Sequence, residues 1–499
     1  MFLRKPCVLL VGLLISWVTG LDKVRLNENG EFVDDTDRIL LFHGFNSVVK
    51  HPPWYDEQLT NRTQLKMFQS WGINFVRLGV MWSGVMPKEG QIEEEYLKKI
   101  SDIIRVCAEH GIYVLIDLHQ DLLSSRFGGY DGIPLWLVDK MIRTPTNRRY
   151  PWPFSRPPEF WFENYLTYAC VDCADRLYKN HSGSWVHWGD FWQVVASRLG
   201  RSSNVIGYEL LNEPPPANFY DDPRNALPGY VGHRLLLPAY DYLVQRIREV
   251  DNETLIFYEP LTYGVFLPPS LFDTGTGFDR VPGSRNDPNA SGKSVLSYHY
   301  YCWLLQKTDP RATMNLAQKV ICDSMLLPSV FKNSRNSIRR TGGGRFLTEF
   351  GLCGADGNPA SINTIECNAV MNKADENFQS WAYWDGNFLD AHGNPIESQV
   401  KSFARVYPKS TLGTPIKLKF DVGNGAFYYT FRTGPMDTVE NVTVAEIFVP
   451  VQVHYPKGMQ VIVTPPVLRT TLIANLLSVT SPVGLNVSLT TVVINIYSR

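Results

Sequence analysis

Apolar residues fall in eight short runs between residues 38 and 390: RILLFHGFNS, INFVRLGVMW, IYVLIDLHQD, VIGYELLNEP, TLIFYEP, SVLSYHYYC, RFLTEFGLC and FQSWAYWDGN. Near-continuous runs of this length, bounded by turn residues, suit strands buried on both faces. Helical patterns alternate with them. The clearest is EEEYLKKISDIIRVCAEHG, where Leu97, Ile100, Ile104 and Cys107 recur at three- and four-residue spacing and form one apolar stripe. Glu93, Glu94 and Glu95 sit where a helix N-terminus favours anions, and Gly111 is placed to end the helix. Eight strand–helix units predict a (β/α)8 TIM barrel over residues 21–407, with insertions carrying it beyond the usual ~250 residues. A doubly wound sheet is the alternative, but it would not gather polar strand ends at one mouth.

The pattern changes after Tyr407, where PKSTLGTP breaks the alternation. The segments IKLKFDV, AFYYTFRT, VTVAEIFVPV, VQVHYP, MQVIVTPP and TTVVINIYS alternate apolar and polar positions between turn residues. They predict a small C-terminal all-β sandwich over residues 408–499, read as a structural brace over the alternative of a carbohydrate- or lipid-binding module because no aromatic triplet points to one.

The first twenty residues differ again. Arg4 and Lys5 precede an apolar core from Val8 to Val18, followed by Thr19 and Gly20. This is the arrangement of a signal peptide, residues 1–20, and the core is short for a membrane span. Export fits six Asn-X-Ser/Thr sequons, at Asn61, Asn180, Asn252, Asn289, Asn441 and Asn486. Beyond Cys7, cysteines stand at 107, 170, 173, 302, 322, 353 and 367. The odd number leaves at least one thiol free or paired between chains. Cys302–Cys322 and Cys353–Cys367 are expected as local staples, while Cys170 and Cys173 form either a short bridge or two buried thiols on a helix.

Composition adds exclusions. A net charge of −1 argues against a nucleic-acid partner held by phosphate neutralisation. No paired Cys/His clusters stand at zinc-ligand spacing. Aromatic residues make up 13% of the chain, with 13 Trp, and such rings both pack cores and stack on sugars.

In a barrel of this kind, reacting groups lie at the C-terminal strand ends. Those ends carry Asn46, Arg77, His119 with Asp121, Asn212 with Glu213, His299 with Tyr301, Glu349, and Trp384. Buried charges must bond one another or face a cleft. One strand-end Glu is unremarkable as a structural carboxylate. Two, on the fourth and seventh strands, are what glycosidic cleavage needs: one protonated for the leaving oxygen, one ionised for the anomeric carbon. The three prolines after Glu213 then hold the backbone of a working acid.

LLNEPPP and FLTEFGL, together with FVRLGVMW, DLHQD, YHYY and YWDGN, resemble glycoside hydrolase family five, within the clan of retaining barrel enzymes, across residues 38–390. The resemblance implies Glu213 as acid/base and Glu349 as nucleophile, with carboxyls ~5–5.5 Å apart. It places Arg77 beside Glu349 to keep it charged, Tyr301 in a hydrogen bond with it, and Asn212 on the sugar 2-hydroxyl. His119 and His299 line the subsite, and Trp384 forms its floor.

Within the family the likeness is to endoglycoceramidases, which cut between glycan and ceramide. It rests on HGFNSVVK, DLHQDLLSS, the NEP strand, EFGL and the β-domain after VYPKSTLGTP. By this likeness Lys50 and Asp121 contact glycan hydroxyls. His43 stands where an Arg is common. The insertion at 130–165 is rich in apolar residues (Ile133, Leu135, Trp136, Met141, Trp152, Phe154, Phe160 and Trp161) and offers a wall for a lipid leaving group, with TYGVFLPPSLF opposite. The alternatives are an exo-β-glucosidase on glucosylceramide or sterol glucoside, a β-mannanase or endoglucanase, and a non-catalytic glycolipid binder. The retention of both acids speaks against the binder. Acid, base and nucleophile are all side chains, so no cofactor or metal is expected. The resemblance implies a glycosphingolipid substrate met at a membrane or micelle surface, and the signal pattern a protein, expected as a monomer, that is secreted or works in an endolysosomal or digestive lumen.

Overall fold

In the computed structural model, eight short strands close into a parallel barrel: β1 (His43–Ser47), β2 (Phe75–Gly79), β3 (Tyr113–Asp117), β4 (Val205–Glu209), β5 (Leu255–Tyr258), β6 (Ser294–Tyr300), β7 (Gly344–Phe350) and β8 (Trp381–Tyr383). Each apolar run supplies one of them. The structure describes residues 21–129, 132–143, 145–268, 274–436 and 441–499, so the expected signal peptide lies outside the described residues.

Helices α1 (Arg62–Ser70), α2 (Glu94–Glu109), α3 (Ser184–Leu199), α4 (Leu237–Arg248), α5 (Leu327–Thr341) and α6 (Ile362–Glu376) follow β1, β2, β3, β4, β6 and β7, and α7 (Glu397–Phe403) follows β8. In α2, Leu97, Ile100, Ile104 and Cys107 are all buried, and Gly111 beyond its end takes φ +70°. One expected unit is incomplete: among the described residues, the connection from β5 to β6 contains no α-helix. The insertion after β3 carries two extra helices, Leu135–Met141 and Tyr168–Tyr178.

The strands starting at Gly413, Ala426, Met459 and Thr491 form one sheet of the C-terminal domain. The facing seven-stranded sheet reaches further than the alternation indicated. Its order runs Arg25–Leu26, Phe32–Val33, Ile39–Leu40, Tyr407–Thr411, Val442–Phe448, Leu476–Ser481, Arg469–Ile473. The N-terminal strands, counted with the barrel from sequence, therefore pair into the β-domain. Lys409 and Ser410 of the supposed break PKSTLGTP are strand residues. VQVHYP, read as a strand, holds a helical turn at Val451–His454 after Pro450. The hairpin of Arg469–Ile473 and Leu476–Ser481 escaped the pattern because its outer strand is exposed along its whole length and shows no alternation.

The same N-terminal segment seals one end of the barrel. Phe32 packs against Phe42, Phe257 and Phe346 with ring centroids 5.6, 6.3 and 5.7 Å away, so side chains close the end opposite the strand C-termini. His43 belongs to this region and not to the mouth. Its ring lies stacked between Trp381 and Tyr407, with neither nitrogen hydrogen-bonded. Burial, with Arg405 adding to it, holds it well below the usual imidazole range, so it is a neutral packing group.

The two domains meet through specific contacts. Gly72 (φ +88°) lies against the Phe448 ring, where a Cβ would come within 2.5 Å of it. Tyr407 donates from its hydroxyl to the Gly72 carbonyl at 2.7 Å. Arg405, fully buried, donates from Nη2 to Asp375 Oδ2 and Asn372 Oδ1, each at 2.7 Å, and lies over the Phe420 ring. Both expected disulfides form, Cys302–Cys322 and Cys353–Cys367. Cys107, Cys170 and Cys173 are buried thiols, which settles Cys170 and Cys173 as helix-borne and unbridged.

Removing one partner of a buried ion pair strands the other charge. Arg405→Ala should therefore lower unfolding stability by about 3–5 kcal/mol in a denaturant titration. A loss below about 1 kcal/mol would contradict the role given to this pair.

Candidate active site

The strand C-termini deliver their polar residues to one cleft. Register sets Asn46 opposite Arg77, Asp117 opposite Glu209, and His299 opposite Glu349. At the centre is Arg77, fully buried. Nε donates to Glu209 Oε2 at 2.5 Å, and Nη1 donates to Glu349 Oε1 at 2.6 Å and to Asn46 Oδ1 at 3.0 Å. Nη2 donates to Asn212 Oδ1 at 2.8 Å and stands 3.2 Å from Asp117 Oδ1. One guanidinium thus serves three carboxylates.

Glu349 is held at both oxygens. Arg77 takes Oε1, and the Tyr301 hydroxyl donates to Oε2 at 2.8 Å. The two bonds fix its orientation.

Glu213 is held differently. It receives no hydrogen bond from a cation. Its Oε1 lies 2.8 Å from His299 Nδ1, and its side chain retains 18% exposure toward the cleft. Burial, reinforced by the nearby Asp121 charge, pushes its carboxyl up to about 7. His299 is forced the other way, down to about 3, chiefly by burial. His299 Nε2 is buried without a partner. An orphaned lone pair costs less than an orphaned N–H, so the neutral ring carries its hydrogen on Nδ1 and donates it to Glu213 Oε1. The Glu213 proton is then left for Oε2.

The backbone at Glu213 is strained. Its φ of +36° lies in the left-handed region, at a cost of about 1–3 kcal/mol for a residue that is not glycine. Three contacts hold it there. Glu259 Oε2 accepts the Glu213 N–H at 2.7 Å, Gln120 Nε2 donates to the Glu213 carbonyl at 2.7 Å, and the Tyr178 hydroxyl donates to the Pro215 carbonyl at 2.9 Å. The prolines do more than end a strand; they belong to a clamp.

Glu213, His299 and Glu349 each place one oxygen or nitrogen within 4.8 Å of the others, so the two acids share one opening. This is the close spacing of a direct displacement by the nucleophile. A second triplet, Glu209, Glu259 and His299, is equally tight. Neither is arranged as a cation site. His299 Nδ1 already bonds Glu213 Oε1, and Arg77 bonds both Glu209 and Glu349.

One wall of the cleft is polar. His119 lies 2.7 Å from Asp117 Oδ2 through Nδ1 and 3.2 Å from Asp121 Oδ2 through Nε2. Burial opposes its charge, but the Asp117 and Asp121 carboxylates prevail and raise it to about 9, so both nitrogens donate. Lys50 forms an ion pair with Asp121 and lies 4.6 Å over the Trp384 ring, whose face stacks on His119 at 5.4 Å. Asn212 Nδ2 donates to the Gln120 carbonyl at 2.9 Å and lies 3.4 Å from His119 Nε2.

All eleven residues expected at the site converge here. Reasoning from sequence overlooked four more: Asp117, Gln120, Glu209 and Glu259. Glu259 carried a legible signal, since it ends the fifth strand in the same Glu-Pro dipeptide as Glu213. The insertion at 130–165 divides. Ile133 and Met141 are buried in the barrel flank, whereas Leu135 and Trp161 are exposed, Trp161 with Lys50 Nζ 5.9 Å from its ring centroid. In TYGVFLPPSLF, Tyr263 and Leu267 are exposed, Val265 is buried, and Pro269–Phe272 lie outside the described residues. A separate cavity of about 390 Å³, lined by Asp241, Arg248 and Ser294, contains none of these groups.

Comparison with known proteins agrees with this geometry. The chain matches the family model described as Cellulase (glycosyl hydrolase family 5) over residues 33–389, and that of the Glycoside hydrolase family 5 C-terminal domain over residues 405–485. It is 31% identical over 474 residues to a protein named Endoglycoceramidase from Cyanea nozakii, covering 88% of this chain and 86% of that one. Endoglycoceramidase I from Rhodococcus hoagii is 28% identical, over 86% of this chain and 80% of its own length. The solved structure of Endo-glycoceramidase II from Rhodococcus sp. in a ganglioside GM3 complex shares the fold, with a TM-score of 0.73 at 20% identity, covering 94% of this chain and 99% of that one. An acid and a nucleophile this close, on β4 and β7 of a barrel matched over its whole length, make this chain a member of glycosyl hydrolase family 5, a glycoside hydrolase of the retaining, double-displacement kind.

Proposed function

We propose that the chain cleaves the β-glycosidic bond between oligosaccharide and ceramide in glycosphingolipids, releasing the intact glycan. The observation that carries this reading is a two-sided cleft. Lys50, His119, Asp121 and Trp384 crowd one side of the Glu213–Glu349 pair with hydrogen-bonding groups and a flat ring suited to sugars. Exposed apolar side chains on the strand-end loops supply the other character: Tyr263, Leu267, Trp303 and Leu316, while Trp161 stands beside Lys50. The aliphatic Leu267 and Leu316 among them suit a ceramide better than a polysaccharide, which favours this reading over a mannanase or endoglucanase. Support also comes from the relatives, which carry the name endoglycoceramidase over most of this chain.

Glu213 donates its Oε2 proton to the departing ceramide oxygen while Glu349 attacks the anomeric carbon, forming a glycosyl-enzyme. Glu213, now a carboxylate, then takes a proton from the water that hydrolyses this intermediate. Arg77 and Tyr301 hold Glu349 for attack, and Asn212 bonds the sugar 2-hydroxyl. The enzyme acts as a monomer at a membrane or micelle surface, approached by the apolar loops. It is exported and glycosylated, outside the cell or in an endolysosomal or digestive lumen. All six sequon asparagines are exposed, and Asn61 caps α1 through Oδ1, which leaves Nδ2 free for a glycan.

Incubation with a ganglioside should yield intact glycan and ceramide, with no activity from Glu349→Gln despite an unchanged fold. Release of monosaccharide only, or full turnover by that variant, would refute the assignment. Because Glu213 works protonated and titrates at about 7, kcat/KM should fall as pH rises through 7; a profile flat to pH 9 would contradict it. Protein secreted from eukaryotic cells should lose mass on treatment with an N-glycosidase.

A further inference from the structure

We propose that Glu259 is a positioning residue for the acid step, its carboxyl anchoring the backbone of Glu213 and flanking His299 so that the Glu213 proton faces the leaving oxygen. This rests on the reading of Glu213 as the acid.

Glu259 follows β5 directly and is fully buried. Its Oε2 accepts the Glu213 N–H at 2.7 Å, the one side-chain bond to the amide of a residue whose φ is left-handed. Its Oε1 has no hydrogen-bond partner and stands 3.5 Å from His299 Nδ1, the atom that bonds Glu213 Oε1 at 2.8 Å. Glu259 thus touches both ends of the acid: the main chain from which it projects and the imidazole that orients its carboxyl. Its own main chain is fixed in turn, since Tyr240 donates from its hydroxyl to the Glu259 carbonyl at 3.0 Å.

The charge inventory requires this anchor to be neutral. Six carboxyl groups crowd the site (Asp117, Asp121, Glu209, Glu213, Glu259 and Glu349) against three cations, Arg77, His119 and Lys50. Arg77 contacts Asp117, Glu209 and Glu349, while His119 and Lys50 contact Asp121. No cation among the described residues pairs with Glu259, on which Arg77 acts only from a distance. Burial, reinforced by the Glu209 and Glu213 carboxyls beside it, holds its carboxyl well above the usual range. A neutral anchor suits the reaction. When Glu213 gives up its proton, the new carboxylate forms beside an uncharged group and not beside a second anion.

A glutamine reproduces an uncharged carboxyl: its Oε1 accepts the same N–H. The test compares kcat/KM of the whole enzyme on two β-glycosides of one glycan, carrying either dinitrophenol or a simple primary alcohol. Dinitrophenolate departs without acid help, whereas an alkoxide requires it. In Glu259→Leu the loss on the alcohol glycoside should exceed the loss on the dinitrophenyl glycoside by roughly 30-fold or more. Glu259→Gln should recover about 10-fold or more of that excess. Glu259→Asp, which withdraws the carboxyl by one methylene, should show the same selective loss as Leu and serves if the Leu variant does not fold. Equal losses on both glycosides, or a Gln variant no better than Leu, would overturn the inference. A wild-type enzyme inert on both glycosides would overturn the glycosidase reading, and this inference with it.

Discussion

The site is built around one guanidinium. Arg77 lies out of contact with water and bonds or faces Glu209, Glu349 and Asp117, while the amide oxygens of Asn46 and Asn212 accept its remaining hydrogens. A buried cation is tolerable only when surrounded in this way, and so are the carboxylates that surround it. The arrangement ties β1, β2, β3, β4 and β7 together at the mouth. It also rations positive charge. Arg77 bonds Glu349 but neither Glu213 nor Glu259, and burial raises the carboxyls of both Glu213 and Glu259. The division of labour between acid and nucleophile follows from which carboxyl the guanidinium bonds.

The rest of the fold keeps that arrangement in place. The far end of the barrel is filled by Phe42, Phe257 and Phe346 and plugged by Phe32, which belongs to a strand of the β-domain sheet. The β-domain is therefore more than an appendage, because its first strands and the barrel floor are one piece of chain. At the mouth, two disulfides brace the loops after β6 and β7. Backbone bonds from Met314 to Ala360 and from Ile362 to Ala312 join the same loops. Exposed Trp303, Leu316 and Leu352 thus project from a stapled frame and not from slack loops. Such stiffness lets apolar side chains stay in water without collapsing into the cleft.

Much of this was legible along the chain. The eight apolar runs marked the eight strands, because strands buried on both faces leave a local signature. Polar residues at the ends of those runs marked the mouth, because burial makes them conspicuous. The errors have equally physical origins. The strands at residues 25–40 are two residues long and owe their existence to partners far along the chain. Arg469–Ile473 is an exposed edge strand without alternation. His43, which begins the first barrel run and whose role was open from sequence, is a packing group stacked between two rings at the opposite end.

What the sequence determined alone was therefore local: strand, helix, the side-chain types at each strand end, and two acids suited to glycosidic chemistry. Tertiary structure decided which acid carries a proton, what holds the strained backbone of Glu213, and that Glu259 belongs with it. Those properties depend on distances of a few ångströms between strands remote in the chain. Periodicity reports which way a residue points; only closure of the barrel brings charges near enough to set one another's protonation.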